Sequence, residues 1–187
     1  MFIHKEAMMN TILQELTYPL DIPRTYLAMI WGSIDSREYQ KVFIRTPTGS
    51  IDATDGGNFS CAIYVSSVLS RCGLTTGGMH ATVAETIRDM CESGWHEVYY
   101  SSDTVHSLPT GCVILWGEAG TCSDGRLHRH IGFYVGNGEA VSNHPVDRVP
   151  KRHHITFGED EKGAPVRPVV RVYHNTLLWR DTPVPGV

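Results

Sequence analysis

The sequence predicts an α+β fold, in which N-terminal helices pack on a central antiparallel β-sheet. The first observation is that apolar residues recur at helical spacing over 58–73 and 82–93. The second is that after Gly94 the apolar period changes to two, as it does in half-buried strands. Five segments follow this period and are predicted to be strands: 95–100, 112–116, 130–135, 139–143 and 167–174. Helices followed by a run of strands are typical of an α+β fold.

The starts of both predicted helices carry residues that can cap a helix. Asn58 or Ser60 can cap the first helix, and Thr82 with Glu85 forms a capping box at the second. Gly73 suits the left-handed position just past the end of the first helix. The segment 58–73 is therefore the most regular part of the sequence, and it contains a cysteine in its first turn.

The N-terminal part of the sequence is less regular. Residues 5–16 have helical spacing, but Pro23 and its neighbours interrupt it, and 17–57 are predicted to be irregular with short extended pieces. The length of 187 residues suits one domain with a substantial core. We therefore expect a single domain over 1–187, with residues 1–50 as an extension that packs on it.

Composition excludes several classes of protein. Hydrophobic residues make up 41% and charged residues 19%, as in soluble globular proteins. The net charge of −4 gives no reason to expect a nucleic-acid partner. A membrane-spanning helix needs a run of about 18 apolar residues, and no run in the sequence comes near that length. The N-terminus has no signal-peptide pattern. We expect a protein that is cytoplasmic as synthesised, unless lysis or a specialised secretion system delivers it elsewhere.

The cysteines predict neither a disulfide framework nor a metal site. There are five, spread along the chain, and none forms a CxxC pair. Cys112 is expected to be a strand core residue and Cys122 a loop thiol, although the two could bond or bind metal. The histidines His128, His130, His144, His153 and His154 have no metal-binding spacing such as HExxH. We expect no metal and no cofactor.

Cys61 is the candidate nucleophile. It lies in the first turn of the predicted helix 58–73, where backbone N–H groups and the helix dipole favour a thiolate. The same N–H groups can hold the oxyanion of an acyl-transfer intermediate. Cys61 also lies on the apolar stripe of its helix, so its position alone is equally typical of a small core residue.

Further segments give Cys61 a functional interpretation. After it come LPTGCVILW (108–116), a turn that leads into an apolar strand, and HIGFYVGNGEAVSN (130–143), a hairpin that opens with histidine. In this order they resemble the NlpC-type cell-wall peptidases, papain-like enzymes that cleave peptide bonds in peptidoglycan. The resemblance covers about residues 55–145, and the histidine hairpin is its specific part. It implies a papain-like fold and a catalytic pair of Cys61 and His130.

The resemblance also implies a third polar residue that orients the imidazole of His130 through its other nitrogen. The position in the family pattern falls on Ser142. A two-residue loop at Asn137 and Gly138 would instead place Asn143 on the His130 face, whereas a three-residue loop would place Ser142 there. We favour Asn143, because its amide is the better acceptor and papain-like enzymes often use asparagine.

Gly132, two residues after His130, is expected to leave space for substrate beside the imidazole. The sequence departs from the family pattern around the nucleophile, where Ser60-Cys61-Ala62-Ile63 replaces the usual Asp-Cys-Ser-Gly. Cys112 stands where the family usually has an aspartate after its turn, and no upstream tyrosine matches the family's oxyanion site. These departures bear on the substrate and on the details of the site more than on the Cys–His pair.

The resemblance implies a peptidoglycan hydrolase that cleaves an amide of the stem peptide through a cysteine thioester. The expected partners are the stem peptide and an immunity or inhibitor protein. The alternatives are a papain-like protease, deamidase or acyltransferase acting on a host protein or lipid, or an inactive binding module. Four basic residues form either a groove for the carboxylates of the stem peptide or a solvated loop: Arg126, Arg129, Lys151 and Arg152.

Overall fold

The computed structural model describes residues 19–118 and 128–178. Helices and an antiparallel sheet make up this part of the chain, which confirms the α+β class. The helices are α1 (Ile22–Gly32), α2 (Cys61–Arg71) and α3 (Val83–Glu92), with short 3-10 helices at Ser102–Ser107 and Thr176–Leu178. The strands are β1 (Phe43–Thr46), β2 (Gly49–Asp52), β3 (Trp95–Val98), β4 (Val113–Trp116), β5 (His130–Gly136), β6 (Glu139–Asn143), β7 (Pro150–His154) and β8 (Val169–Asn175).

Two sheets are formed. Strands β1 and β2 make a two-stranded hairpin, and the other six form one antiparallel sheet in the order β3-β8-β4-β5-β6-β7. The five strands predicted from the apolar period all belong to the six-stranded sheet. Strand β7 was not predicted, since its sequence PKRHH has polar residues where a strand pattern needs apolar ones.

Helix α1 corrects the prediction that residues 17–57 are irregular. Pro23 occupies the first turn of the helix, where its missing N–H costs nothing, and Asp21 caps the start by accepting from the Arg24 N–H at 3.1 Å. Tyr26 is buried in the core and donates from its hydroxyl to the Gly111 carbonyl at 2.8 Å. Part of the N-terminal extension thus packs on the sheet. The helix predicted over 5–16 lies outside the described residues.

The six-stranded sheet has two differently covered faces. The helices cover one face, where Phe133 makes edge-on ring contacts with Tyr26 and Tyr64, at 5.6 and 5.3 Å between centroids. The other face carries a smaller apolar cluster around Trp116 and Tyr134. Trp95 and Trp116 are both buried, as expected for core aromatics, whereas Trp179 lies outside the described residues. None of the helices in 19–118 and 128–178 is long and apolar enough to cross a membrane.

The hairpin between β5 and β6 turns at Asn137 and Gly138, whose φ angles are +53° and +74°. This is the two-residue loop that the sequence allowed, with Gly136 paired to Glu139. The register then shifts by a bulge, because Tyr134 pairs with Ala140 and leaves Val135 as the extra residue on β5. The bulge decides which residue of β6 lies beside His130.

Candidate active site

The loop that precedes α2 is held in shape by Asp52. One carboxylate oxygen accepts from the Thr54 N–H at 3.0 Å, and the other accepts from the Gly56 N–H at 2.9 Å. These hydrogen bonds lower the pKa of Asp52 to about 2, with the Thr54 hydroxyl as the largest contributor. Gly56 and Gly57 follow with φ angles of +62° and +100°, a conformation that glycine adopts without strain. The loop therefore delivers the chain to the start of α2 in one defined direction.

Cys61 is the first residue of α2, and no side chain caps this helix start. Ser60 is the residue before it, but its hydroxyl donates to the Gly57 carbonyl at 3.1 Å and makes no capping bond. Burial raises the pKa of the Cys61 thiol. The backbone N–H groups of Ile131 and Ala62 and the positive charge of Arg167 act in the opposite direction and favour the thiolate. The helix start thus offers hydrogen-bond donors to a negative charge at the sulfur.

His130 opens strand β5 and is 8% exposed. Burial, together with the nearby charge of Arg167, holds the pKa of His130 well below its usual range, so the imidazole is neutral at neutral pH. Its Nε2 lies 2.8 Å from the Ser142 Oγ. Within the described part of the chain no hydrogen bond joins its ring to Cys61. The two residues nevertheless line one cavity of about 550 Å³.

The structure places Ser142, and not Asn143, against the imidazole of His130. The bulge at Val135 pairs Gly132 with Ser142, which brings the Ser142 side chain to the His130 face. Asn143 therefore points to the other face, where its Nδ2 donates to the Gly57 carbonyl at 2.9 Å. Our preference for Asn143 as the orienting residue is corrected. Asn143 instead fastens the loop before Cys61 to strand β6 and also lines the cavity.

The expectation that Gly132 leaves space for substrate is wrong. A Cβ at Gly132 would lie 2.6 Å from the Ser142 Cβ and 2.9 Å from a ring atom of Trp116. Glycine is needed here because the indole and the serine already fill the space beside His130. The open space next to His130 is the cavity that Cys61 also lines.

Ser142 also contacts a second histidine. Its Oγ lies 2.7 Å from the Nε2 of His153, whose Nδ1 lies 2.8 Å from the His154 carbonyl oxygen. We call His130, Ser142 and His153 the His–Ser–His array. The ring of Phe157 stacks on His153 at 3.9 Å between centroids and also contacts His130 at 5.7 Å. Phe157 therefore packs against both histidines of the array.

Both basic and apolar side chains line the cavity. Arg129, Arg167 and His128 belong to the first kind, and Ile44 and Ile51 of the β1–β2 hairpin to the second. Ten further residues complete the lining, in addition to Cys61 and His130: Asp52, Ala53, Asn58, Phe59, Ala62, Ala81, Thr82, Val83, Asn143 and Pro145. The N-terminal extension thus contributes Ile44 to the lining of the cavity.

The predicted basic groove is only partly present. Arg129 lines the cavity, but Lys151 pairs with Asp35, and Arg152 pairs with Glu139. Both of these residues are on β7, which the sequence did not show to be a strand. Arg126 lies outside the described residues, as does Cys122. Cys112 is a free, buried thiol next to β4, as expected of a core residue.

Sequence reasoning did not assign a role in the site to Arg167, His153 or Phe157. Arg167 precedes β8 and donates from its Nε to the Gly117 carbonyl at 3.0 Å, which holds its charge near both Cys61 and His130. Phe157 has a φ angle of +60°, unusual for an aromatic residue. No local pattern marks these residues, because each reaches the site from a separate strand or loop. Among the described residues, no group of His, Cys, Asp or Glu is placed to hold a metal ion.

No family model matches this sequence, and a search of curated proteins finds no significant match. A thiol at an uncapped helix start, a neutral imidazole with one nitrogen engaged by serine, and a shared cavity are the components that acyl transfer through a thioester requires.

Proposed function

We propose that this chain is a cysteine hydrolase with a papain-like fold that cleaves an amide bond of the peptidoglycan stem peptide. The observation that carries the proposal is that Cys61, at the uncapped start of α2, and the neutral His130 line one cavity. The order of the elements supports it, since the nucleophile helix precedes the strand that begins with histidine, as in the NlpC-type pattern. The guanidinium groups of Arg129 and Arg167 in the cavity lining suit the carboxylates of a stem peptide.

In the proposed reaction, His130 takes the thiol proton of Cys61 as the sulfur attacks the scissile carbonyl carbon. The backbone N–H groups of Cys61 and Ala62 hold the oxyanion that forms. His130 then gives its proton to the leaving amine, and a thioester on Cys61 remains. Water, deprotonated by the same imidazole, hydrolyses the thioester and restores the thiol.

A neutral imidazole and a protonated thiol are the resting state in this proposal. Burial raises the pKa of the thiol and lowers that of the imidazole, so the pair does not rest as thiolate and imidazolium. The proton therefore moves during attack and not before it. The acid limb of the pH dependence of kcat/KM is expected to lie below the ordinary histidine value of 6.5.

The decisive experiment is digestion of purified sacculi by the wild type and by Cys61→Ala, with the released fragments identified by mass spectrometry. We expect digestion by the wild type and none by the variant, because the nucleophile is lost. Cys91→Ala is the matched control, since Cys91 is an exposed thiol and should be dispensable. Retained digestion by a correctly folded Cys61→Ala protein would overturn the assignment.

One observation favours a second candidate, an acyltransferase or deacylase that acts on a lipid-like substrate. Ile44 and Ile51 line the cavity although they are 41% and 49% exposed, and Phe43 beside them is 64% exposed. An acyl chain would cover these side chains. Incubation with acyl lipids and with protein substrates, followed by detection of a Cys61 thioester, distinguishes this candidate from the first. An inactive binding module would form no Cys61 thioester with any of these substrates.

A further inference from the structure

We infer that His153 is a positioning residue, which acts through Ser142 to keep the proton of His130 on Nε2 and leave Nδ1 free as the base. The inference rests on the proposed role of His130. It concerns which of the two ring nitrogens takes the thiol proton, a property that a neutral histidine does not determine by itself.

The His154 carbonyl, at the end of the array remote from His130, determines which group donates and which accepts in each hydrogen bond. The His154 carbonyl oxygen can only accept, so the Nδ1 of His153, at 2.8 Å, must carry the proton. The pKa of His153 is lowered to about 4, mainly by burial, so this ring is neutral and its Nε2 has no proton. The Ser142 hydroxyl, at 2.7 Å, must therefore donate to that Nε2.

The same reasoning determines the state of His130. Ser142 has one hydroxyl proton, and His153 receives it, so the Ser142 Oγ can only accept from the Nε2 of His130 at 2.8 Å. Since burial keeps the His130 ring neutral, its Nδ1 carries a lone pair and no proton. When Nδ1 later takes the thiol proton, the bond from Nε2 to Ser142 is unchanged, and no further proton has to move.

The surroundings keep the array in this arrangement. Ser142 is fully buried, so water does not compete for its hydroxyl. Phe157 stacks on the His153 ring. The centroid of the Trp116 ring lies 5.4 Å from that of His130 and 5.8 Å from that of His153. Besides the effect of His153 on His130, Arg167 acts on the His130 ring, and His144 and His154 act on the His153 ring. None of them supplies the acceptor that His153 provides to Ser142.

Two substitutions separate the hydrogen bond of His153 from its packing. His153→Phe keeps a ring against Phe157 but removes the acceptor, which frees the Ser142 hydroxyl to donate to His130 and moves the His130 proton to Nδ1. His153→Gln keeps an acceptor for Ser142 but loses the stacked ring. His96→Phe, an exposed histidine on β3, is the control for replacing a histidine by phenylalanine.

The primary measurement is the protonation of the His130 ring nitrogens by ¹⁵N NMR at neutral pH, which does not depend on any substrate. We expect the proton on Nε2 in the wild type, His153→Gln and His96→Phe, and on Nδ1 in His153→Phe. With a soluble stem-peptide fragment, kcat of His153→Phe should fall by about 10- to 100-fold with little change in KM. Ser142→Ala breaks the array at its centre and serves as a second test should His153→Phe fail to fold; it should leave His130 with both tautomers.

The outcomes are distinguishable. A His130 proton that stays on Nε2 in His153→Phe, or on Nε2 alone in Ser142→Ala, overturns the inference, whatever the activity. Impairment of His153→Gln but not of His153→Phe would show that His153 acts only by packing, which also overturns it. A tautomer change as expected, in a protein that digests no stem peptide, leaves the inference standing and rejects the proposed function.

Discussion

The starts of α2 and α3 both line the cavity, but they differ in what satisfies their backbone N–H groups. At α3 the Thr82 hydroxyl oxygen accepts from the Glu85 N–H at 3.2 Å and contacts the Glu85 carboxylate at 2.9 Å. At α2 the Ser60 side chain makes no such bond. A side-chain cap satisfies one of the free N–H groups at a helix start, whereas an uncapped start keeps that donor for a thiolate or an oxyanion. Of these two starts, α2 is the one that lacks the cap bond and has a cysteine in its first turn, as the proposed chemistry needs.

The backbone explains why the two caps behave differently. Thr82 is extended, with φ −123° and ψ 147°, so its side chain folds back over the first turn. Ser60 is already helical, with φ −84° and ψ −2°, and its hydroxyl turns to the Gly57 carbonyl instead. The sequence predicted a capping residue at both starts. The prediction is confirmed for Thr82, but Ser60 occupies the cap position without making the cap bond.

Among substitutions that test the difference between the two helix starts, Asp52→Asn is expected to have the largest effect on stability. It weakens the loop that leads into α2. The amide keeps one acceptor but loses the charge that binds the Thr54 and Gly56 N–H groups, so the free energy of unfolding should fall by about 1–3 kcal/mol. Urea unfolding measures this, with the exposed Asp103→Asn as control. Cys61 should also become less reactive, because the start of α2 is less well held.

The pH dependence gives a second check on Asp52. Its pKa is lowered from 3.8 to about 2 in the folded protein, so its stabilising contribution is complete above pH about 4 and is lost as the pH falls towards 2. The stability difference between wild type and Asp52→Asn should shrink over that range. A difference independent of pH would contradict the role given to the carboxylate charge.

A smaller effect is expected from Asn143→Ala. The variant removes the bond to the Gly57 carbonyl, which the Ser60 hydroxyl still satisfies, and should lower the free energy of unfolding by about 1–2 kcal/mol. Chemical denaturation measures the loss. In the described part of the chain the His130 ring is hydrogen-bonded to Ser142 and not to Asn143, so the ¹⁵N NMR signals of the ring should keep the wild-type tautomer. A changed tautomer would mean that Asn143 orients the imidazole after all.

The smallest effect is expected from Thr82→Ala, which removes the cap of α3. The loss should be about 1 kcal/mol in the free energy of unfolding, the usual cost of such a cap. Ser60→Ala is the matched control at the other helix start and should cost less, since Ser60 makes no cap bond and Asn143 still satisfies the Gly57 carbonyl. Equal losses from the two variants would remove the distinction between the helix starts.

The sequence by itself determined the local features of the candidate site. Apolar spacing and turn residues place Cys61 at the start of a helix, His130 at the start of a strand, and a tight turn within 136–138, whose loop length the sequence left open. Such features depend on neighbours in the chain, and the structure has each of them. Pro23 was misinterpreted for a local reason, because a proline stops a helix in its interior but fits its first turn.

Only the tertiary structure decided how these features combine. The bulge at Val135 selects Ser142 over Asn143, and it depends on how side chains pack on both faces of the sheet. Arg167 reaches the site from just before β8 and His153 reaches it from β7, and both are remote in sequence from Cys61. Hydrogen bonds between such residues form only once the sheet has assembled, so no periodicity in the sequence could reveal them.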